Sequence, residues 1–284
     1  LYATGTRTVR GLEALSLSLP PTPGQSIVKR PGNADLFSLG SVFASKGYDT
    51  RYVYGGYGYF DNMNAFFSAN HYQVVDRMAI PAERIHHENI WGVADEDLFT
   101  QALQEADASH ARGKPSFMHV MTTSNHRPYT YPDGRIDIAS GDGREGAVKY
   151  TDYAIGQFLA AARSKPWFDD TLFVFVADHC AGSAGMEDLP VANYHIPLFI
   201  YAPALLEAQT FSAVASQIDL VPTLLAMLGL SGDDHFVGRD ILAMRPEEGR
   251  ALLSTYQNLG YLKGDVMTVL QPKRRIETFR ISAD

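Results

Sequence analysis

Six consecutive apolar residues, Leu172–Ala177 (LFVFVA), constrain this chain more than any other stretch of it. A strand solvated on one face alternates apolar and polar residues, whereas a run without alternation must be covered on both faces, as an inner strand of a helix-flanked sheet is. Further strand signals lie near Thr50–Tyr54, Tyr72–Val75, Ser116–Met121 and Pro197–Tyr201. Between them the period turns helical. Val9, Leu12, Leu15 and Leu19 share one face before Pro20 and Pro21, and helices are expected at Leu36–Lys46, Asn62–Ala69, Asp95–Arg112, Ala147–Ser164 and Asp219–Leu228. This alternation predicts an α/β fold on a mostly parallel central sheet with helices on either side. From residue 250 to 284 the pattern changes to short strands, Ala251–Tyr256, Val266–Leu270 and Glu277–Ile281, which predict a small antiparallel edge.

The 284 residues, 45% hydrophobic and 20% charged, exclude a disordered or fibrous chain and suffice for one large domain or two smaller ones. No internal repeat is visible. With 24 Lys and Arg against 32 Asp and Glu, the formal charge is -8, and the longest basic run is Lys273-Arg274-Arg275. A dedicated nucleic-acid binder needs a basic face, so no nucleic-acid partner is expected. Apolar runs such as Leu172–Ala177 and Ile196–Ala204 fall short of the roughly 20 residues that cross a bilayer. A single cysteine, Cys180, rules out an intrachain disulfide framework. The chain opens on Leu1 without a signal-like leader, so it reads as a piece of something longer, with any anchor or leading strand expected upstream.

In open α/β sheets ligands collect beyond the carboxyl ends of strands, which directs attention to the residues just past each strand end. Asp178-His179 comes directly after Leu172–Ala177. A carboxylate and an imidazole there can ligate a divalent metal, and the pair reads equally as a capping Asp beside a hydrogen-bonded His. After Ser116–Met121 comes Thr123-Ser124-Asn125-His126-Arg127-Pro128, where His126 and Arg127 can bind an anionic ester and protonate a leaving group; the plainer reading is a polar turn closed by proline. The third segment, Thr4–Gly11, sets Thr8 between Arg7 and Arg10 at a helix start. Such a Thr is usually a cap, but free N–H groups there favour anions, and a metal on its oxygen would make it a nucleophile.

These segments occur in a longer string: GTRTVRGLEA, GGYGYFDNMNAFF, HVMTTSNHRPYTYP, VKYTDYAIGQFL, FVFVADHC, YHIPLFIYAP and SQIDLVPTLLAMLG. On these blocks the chain resembles the sulfatase-like catalytic domain of the alkaline phosphatase superfamily, most closely its lipoteichoic acid synthase and phosphoglycerol transferase branch. The resemblance implies a doubly wound α/β/α sandwich, a single catalytic domain over 1–284, whose first strand lies upstream. It implies that Thr8 is the nucleophile and also contacts the metal, that Asp178 and His179 are metal ligands, and that His126 binds substrate near the leaving group. A remaining ligand, a Glu at the end of that first strand, is expected before Leu1. In GGYGYFDNMN the branch carries a His, a Trp and an Arg on glycerol phosphate, where this chain has Tyr54, Asp61 and Met63. Tyr54, Tyr57 and Asp61 then become candidates for an altered polar pocket, and equally for packing. His195 aligns with a site-facing position and reads equally as a supporting or core histidine.

The function so implied is a phosphoglycerol transferase or phosphodiesterase that depends on one divalent ion (Mn2+, Mg2+ or Zn2+), with a covalent phosphothreonine on Thr8 and with Arg7 or Arg127 offsetting phosphoryl charge. The implied partners are a phospholipid headgroup donor and a glycan or glycerol acceptor. The implied location is outside the cytoplasmic membrane, tethered by upstream helices. Three rivals stand beside it. A sulfatase would need a C/S-x-P-x-R motif, which does not occur here; a phosphoethanolamine transferase of this fold is typically disulfide-rich, against one cysteine; a catalytically silent sensor domain would have lost turnover.

Overall fold

Apolar periodicity and strand runs become elements in the computed structural model, which describes residues 1–181, 189–230 and 235–281. The chain divides into two compact units, Leu1–Leu39 with Leu172–Asp284, and Gly40–Thr171. The first unit opens with helix α1 (Thr8–Leu17), which ends at Ser18 in a left-handed conformation (φ 51°) just before the predicted proline stop.

In the second unit, helix α2 (Leu39–Ser45) leads to strand β1 (Asp49–Tyr54), and helix α3 (Met63–Ala69) leads on to β2 (Gln73–Val75). A two-residue hairpin, β3 (Glu88–Asn89) with β4 (Gly92–Val93), precedes helix α4 (Asp95–Ala111), strand β5 (Ser116–Met121) and helix α5 (Arg144–Ala162). The sheet order is β2-β1-β5, all parallel, with Val53 opposite Val75 and Val120. Parallel neighbours need a crossover, which α3 and α4 supply. Val53, Ile80, Val93 and Leu98 form one core, and Phe99, Tyr131, Ala147 and Tyr150 another between α4 and α5. Each such large apolar side chain stabilises the fold by roughly 1.5–3 kcal/mol through burial.

The first unit resumes with β6 (Phe173–Val176) and β7 (Leu198–Tyr201), helix α6 (Leu220–Met227), and strands β8 (Ala251–Ser254), β9 (Leu259–Lys263), β10 (Val266–Gln271) and β11 (Arg275–Arg280). Leu15 of α1 and Leu220 and Leu224 of α6 cover Val174, Val176, Leu198 and Ile200. The expected C-terminal antiparallel edge is present as a sheet ordered β11-β10-β9-β8, and residues 282–284 of its predicted span lie outside the described residues.

Two details depart from the sequence reading. Strands β6 and β7 pair antiparallel, Phe173 opposite Tyr201, because the described part of their connection holds one short 3-10 turn, Val191–Tyr194, and no crossover helix. Strand β9 has no counterpart among the predicted strands, since Gly260 interrupts its apolar pattern. Gly260 stands opposite Val269 of β10, and a Cβ there would displace the end of the Met267 side chain, 2.3 Å away. Among the described residues no helix is long and apolar enough to cross a membrane.

Candidate active site

Thr8 is the first residue of α1, preceded by Arg7 in an extended conformation (φ -141°, ψ 149°), and no side chain caps this helix. The first-turn N–H groups of a helix have no partner within it, so an uncapped start concentrates donors and partial positive charge around Thr8. Of the two flanking arginines, one is spoken for. Arg10 is buried, pairs with Glu13 at 3.1 Å and donates to the carbonyls of Thr22 (2.6 Å) and Gly24 (2.5 Å), which fastens the proline-rich loop to the helix. Arg7 is exposed and lies over the Tyr256 ring, 5.6 Å from its centroid.

Gly11 stands one turn after Thr8 on the same face of α1. A Cβ there would meet the Asp178 backbone at 2.7–2.9 Å, so the loop following β6 lies directly against the helix. That contact sets Asp178 on the face of α1 that carries Thr8. Asp178 Oδ1 accepts from the His179 N–H (2.9 Å), and Oδ2 lies 3.4 Å from His179 Nε2. His179 Nδ1 is 2.8 Å from the Cys180 carbonyl. A carbonyl can only accept, so Nδ1 carries a proton, and Nε2 is the nitrogen that faces Asp178 Oδ2. Two ligand atoms each about 2.1 Å from one tetrahedral ion stand about 3.4 Å apart, which is the separation of Oδ2 and Nε2. The separation of this donor pair therefore fits part of the coordination of a divalent ion. Among the described residues no group of three or more His, Cys, Asp or Glu forms a metal cluster. The Cys180 thiol donates to the His195 carbonyl (3.0 Å), and the His195 ring stacks on Tyr2 at 5.0 Å, so His195 adjoins this loop through its backbone.

Behind the loop stands Gln217, fully buried. Its amide nitrogen donates to the carbonyls of Ala177 and Asp178 (3.0 Å each), while its oxygen accepts from the N–H (3.2 Å) and hydroxyl (3.3 Å) of Thr4. One side chain thus ties the end of β6 to the segment leading into α1.

In the second unit the segment after β5 is held by Asp95, also fully buried. Its Oδ1 accepts from the N–H groups of Thr123 (3.2 Å) and Ser124 (3.0 Å), and Oδ2 from the Thr151 hydroxyl (2.8 Å). Burial raises the pKa of this carboxyl, and the hydrogen bonds act against that rise. The loop so clamped presents His126 exposed, with its ring 4.0 Å from that of Trp91 and Nδ1 3.0 Å from the Arg127 carbonyl. The same argument puts a proton on Nδ1 of His126. Arg127 is exposed and joined to Pro128 by a cis peptide. Trp91 also lines a small cleft with Tyr54, Tyr57, Tyr59, Phe60 and Ile90, in which Tyr54 is buried; Asp61 comes after Phe60 in a left-handed turn (φ 51°). The predicted residues therefore fall in two groups: Arg7, Thr8, Asp178, His179 and His195 in one unit, and Tyr54, Asp61, His126 and Arg127 in the other.

Residues 1–230 match the family model described as Sulfatase. The chain belongs to the sulfatase family. A solved structure of an alkaline phosphatase superfamily protein from Vibrio parahaemolyticus is 35% identical, superposes with a TM-score of 0.92, and is matched over 100% of this chain and 72% of that one. The lipoteichoic acid synthase LtaP from Listeria monocytogenes shares the fold at a TM-score of 0.81 and 20% identity, over 98% of this chain and 74% of that one. By sequence the chain is 24% identical to lipoteichoic acid synthase 2 of Bacillus subtilis (strain 168), over 81% of this chain and 38% of that protein. It is 26% identical to phosphoglycerol transferase I of Xanthomonas euvesicatoria, over 83% of this chain and 36% of that protein. The chain thus spans just over a third of the curated relatives it matches. The expected α/β superfamily fold, with its parallel sheet and C-terminal antiparallel strands, is present.

The sulfatase match ends just past α6, so it holds Thr8, His126, Asp178, His179 and Gln217, while the β8–β11 sheet lies beyond it. Sequence reasoning assigns no site role to Gly11, Gln217 or Asp95. Asp95 reads as the start of a helix and Gln217 as part of a capping segment, since their partners lie 28 and 40 residues away in the chain.

Proposed function

We propose that this sulfatase-family chain is the catalytic domain of a phosphoglycerol transferase or phosphodiesterase that depends on one divalent ion and uses Thr8 as its nucleophile. The observation that carries the reading is the packing of Asp178 against Gly11, one turn from an uncapped Thr8, with Oδ2 and Nε2 of the Asp178-His179 pair 3.4 Å apart. The sequence likeness to lipoteichoic acid synthase 2 and phosphoglycerol transferase I supports the substrate class. Manganese, magnesium or zinc held by Asp178, His179 and the Thr8 hydroxyl would lower the pKa of that hydroxyl and offset phosphate charge. Thr8 Oγ1 attacks the phosphorus of a phospholipid headgroup in line; the P–O bond to diacylglycerol breaks, and glycerophosphate remains on Thr8. The Thr8 hydroxyl proton passes to solvent, and the departing oxygen takes a proton carried on His126 Nε2, which the incoming hydroxyl restores in the next step. A glycan or glycerol hydroxyl, or water, then attacks the same phosphorus, gives up its proton and releases Thr8. Arg7, Arg127 and the N–H groups at the start of α1 stabilise the phosphoryl oxygens. Tyr54, Asp61 and His195 are assigned to holding the headgroup, and the work is placed at the outer face of a bacterial cytoplasmic membrane.

The test is peptide mapping by mass spectrometry on the full-length protein incubated with manganese and phosphatidylglycerol, beside Thr8→Ala. A glycerophosphate adduct on the Thr8 peptide that disappears in the variant is the expected result. Bound metal with neither adduct nor released diacylglycerol would overturn it.

A further inference from the structure

The register of the β8–β11 sheet sorts its side chains into two faces that differ in kind. Leu253, Leu262, Met267 and Val269 point inward and are buried with Tyr194. On the other face Thr278 stands opposite Thr268, which stands opposite Tyr261; Ile276 stands opposite Leu270; and Arg280 stands opposite Val266, itself opposite Lys263. This outward face keeps large apolar groups in solvent, with Ile276 67% exposed, Leu270 45% and Tyr261 40%. The face is uncovered where β10 meets β11, and every residue of β11 is exposed.

Its charge is the reverse of the chain's. Against a formal -8 overall, this face and the turns that border it carry Lys263, Lys273, Arg274 and Arg280 with one carboxylate, Asp265, while Arg275 and Glu277 alternate onto the opposite face. Glu277 pairs with Arg275 at 3.2 Å, and Asp265 lies 3.9 Å from Arg280. Lys273 and Arg274 form the β10–β11 turn with both backbones left-handed (φ 62° and 60°), a conformation that side chains with a Cβ adopt at a cost. Two exposed cations thus stand in the turn at the end of the sheet, next in sequence to the strand that carries Ile276.

We propose that this face docks on an anionic phospholipid bilayer. A nucleic acid would satisfy the cations but offers nothing to receive Leu270 and Ile276. A second copy would bring like charges together. An anionic membrane surface receives both, with aliphatic and aromatic groups entering the headgroup boundary and cations meeting phosphate. This inference does not rest on the catalytic reading.

The experiment is cosedimentation of the protein with phosphatidylserine-containing vesicles and with phosphatidylcholine vesicles. Phosphatidylserine is used because it is not the proposed donor. Binding should require the anionic lipid, weaken with salt, and fall about fivefold for each cation removed by Lys273→Gln or Arg274→Gln. Ile276→Ser should weaken it as well, while Thr8→Ala should leave it unchanged, which separates this surface from the catalytic site. Circular dichroism checks that each variant is folded. The proposal is overturned by absence of binding to the anionic vesicles, by binding indifferent to these three substitutions, or by loss of binding in Thr8→Ala. Equal binding to heparin without an effect of Ile276→Ser would make the face a polyanion site instead. A dimer in sedimentation equilibrium that Ile276→Ser dissolves would make it a contact between copies.

Discussion

Two loops carry the candidate chemistry, and each is held from behind by one fully buried polar side chain. After β5 the clamp is Asp95, a carboxylate that accepts from two backbone N–H groups. After β6 it is Gln217, an amide that donates to two backbone carbonyls. The difference reflects which backbone groups each loop turns inward. A carboxylate can only accept, so it suits a loop whose N–H groups face the interior. The Ala177-Asp178 loop turns carbonyls inward and needs a donor, and an amide also has an oxygen left over to hold Thr4. Each loop also carries a histidine, His126 or His179, with Nδ1 beside the carbonyl of the next residue.

The largest effect expected is at Thr8. Thr8→Ala should lower turnover by at least about 10³-fold, as loss of a nucleophile does, while the thermal midpoint stays within a degree or two of the parent; a measured loss of less than tenfold would remove Thr8 from its role. The Gln217 clamp is sharpened by two substitutions. Gln217→Ala leaves two carbonyls and the Thr4 N–H without the Gln217 side chain, and should cost about 2 kcal/mol in denaturant unfolding and weaken manganese binding by about 10–100-fold. Gln217→Glu removes the donors and should be no better, so equal metal affinity in Gln217→Glu and the parent would break the argument that donation to Asp178 matters.

For the Asp95 clamp the prediction divides by chemistry. Asp95→Ala strands buried donors and should destabilise the protein by about 3 kcal/mol. Asp95→Asn keeps an oxygen for both N–H groups, so its unfolding midpoint should lie much nearer the parent's. If both variants fall equally, charge rather than acceptor geometry holds the loop. Gly11→Ala is a smaller test of the other unit. Alanine is the better helix former by up to about 1 kcal/mol, but its Cβ overlaps the Asp178 backbone, so the net should be a loss of about 1–2 kcal/mol together with reduced activity. A more stable Gly11→Ala enzyme of full activity would show that α1 and the Asp178 loop are not held together there.

The last test is one of pH. His119 in β5 lies among the rings of Tyr52 and Phe67, and burial lowers its pKa from 6.5 to about 4. As pH falls through 6.5 the unfolded chain takes up this proton before the folded one, so stability falls between pH 6.5 and 4 and levels below that. His119→Gln should flatten the melting temperature across that window; an unchanged slope would assign the acid response elsewhere.

Strand β5 and the cores of β1, β6 and β7 were legible because a covered strand must be apolar and a helix must repeat at its own period. Both are properties of neighbours in sequence. Thr8, His126, Asp178 and His179 stood out as candidates for a related reason: each stands in a short segment next to a strand or helix end, where ligands gather. The connections between these segments were not legible. The antiparallel pairing of β6 with β7, the close approach that requires glycine at position 11, and the reach of Gln217 and Asp95 across 40 and 28 residues depend on partners that no local pattern names. A buried polar group needs some partner, but the sequence does not say which. Local chemistry placed the candidate groups at the ends of their elements, and the tertiary packing alone decided which loops are held, by which side chains, and with which backbone groups turned inward.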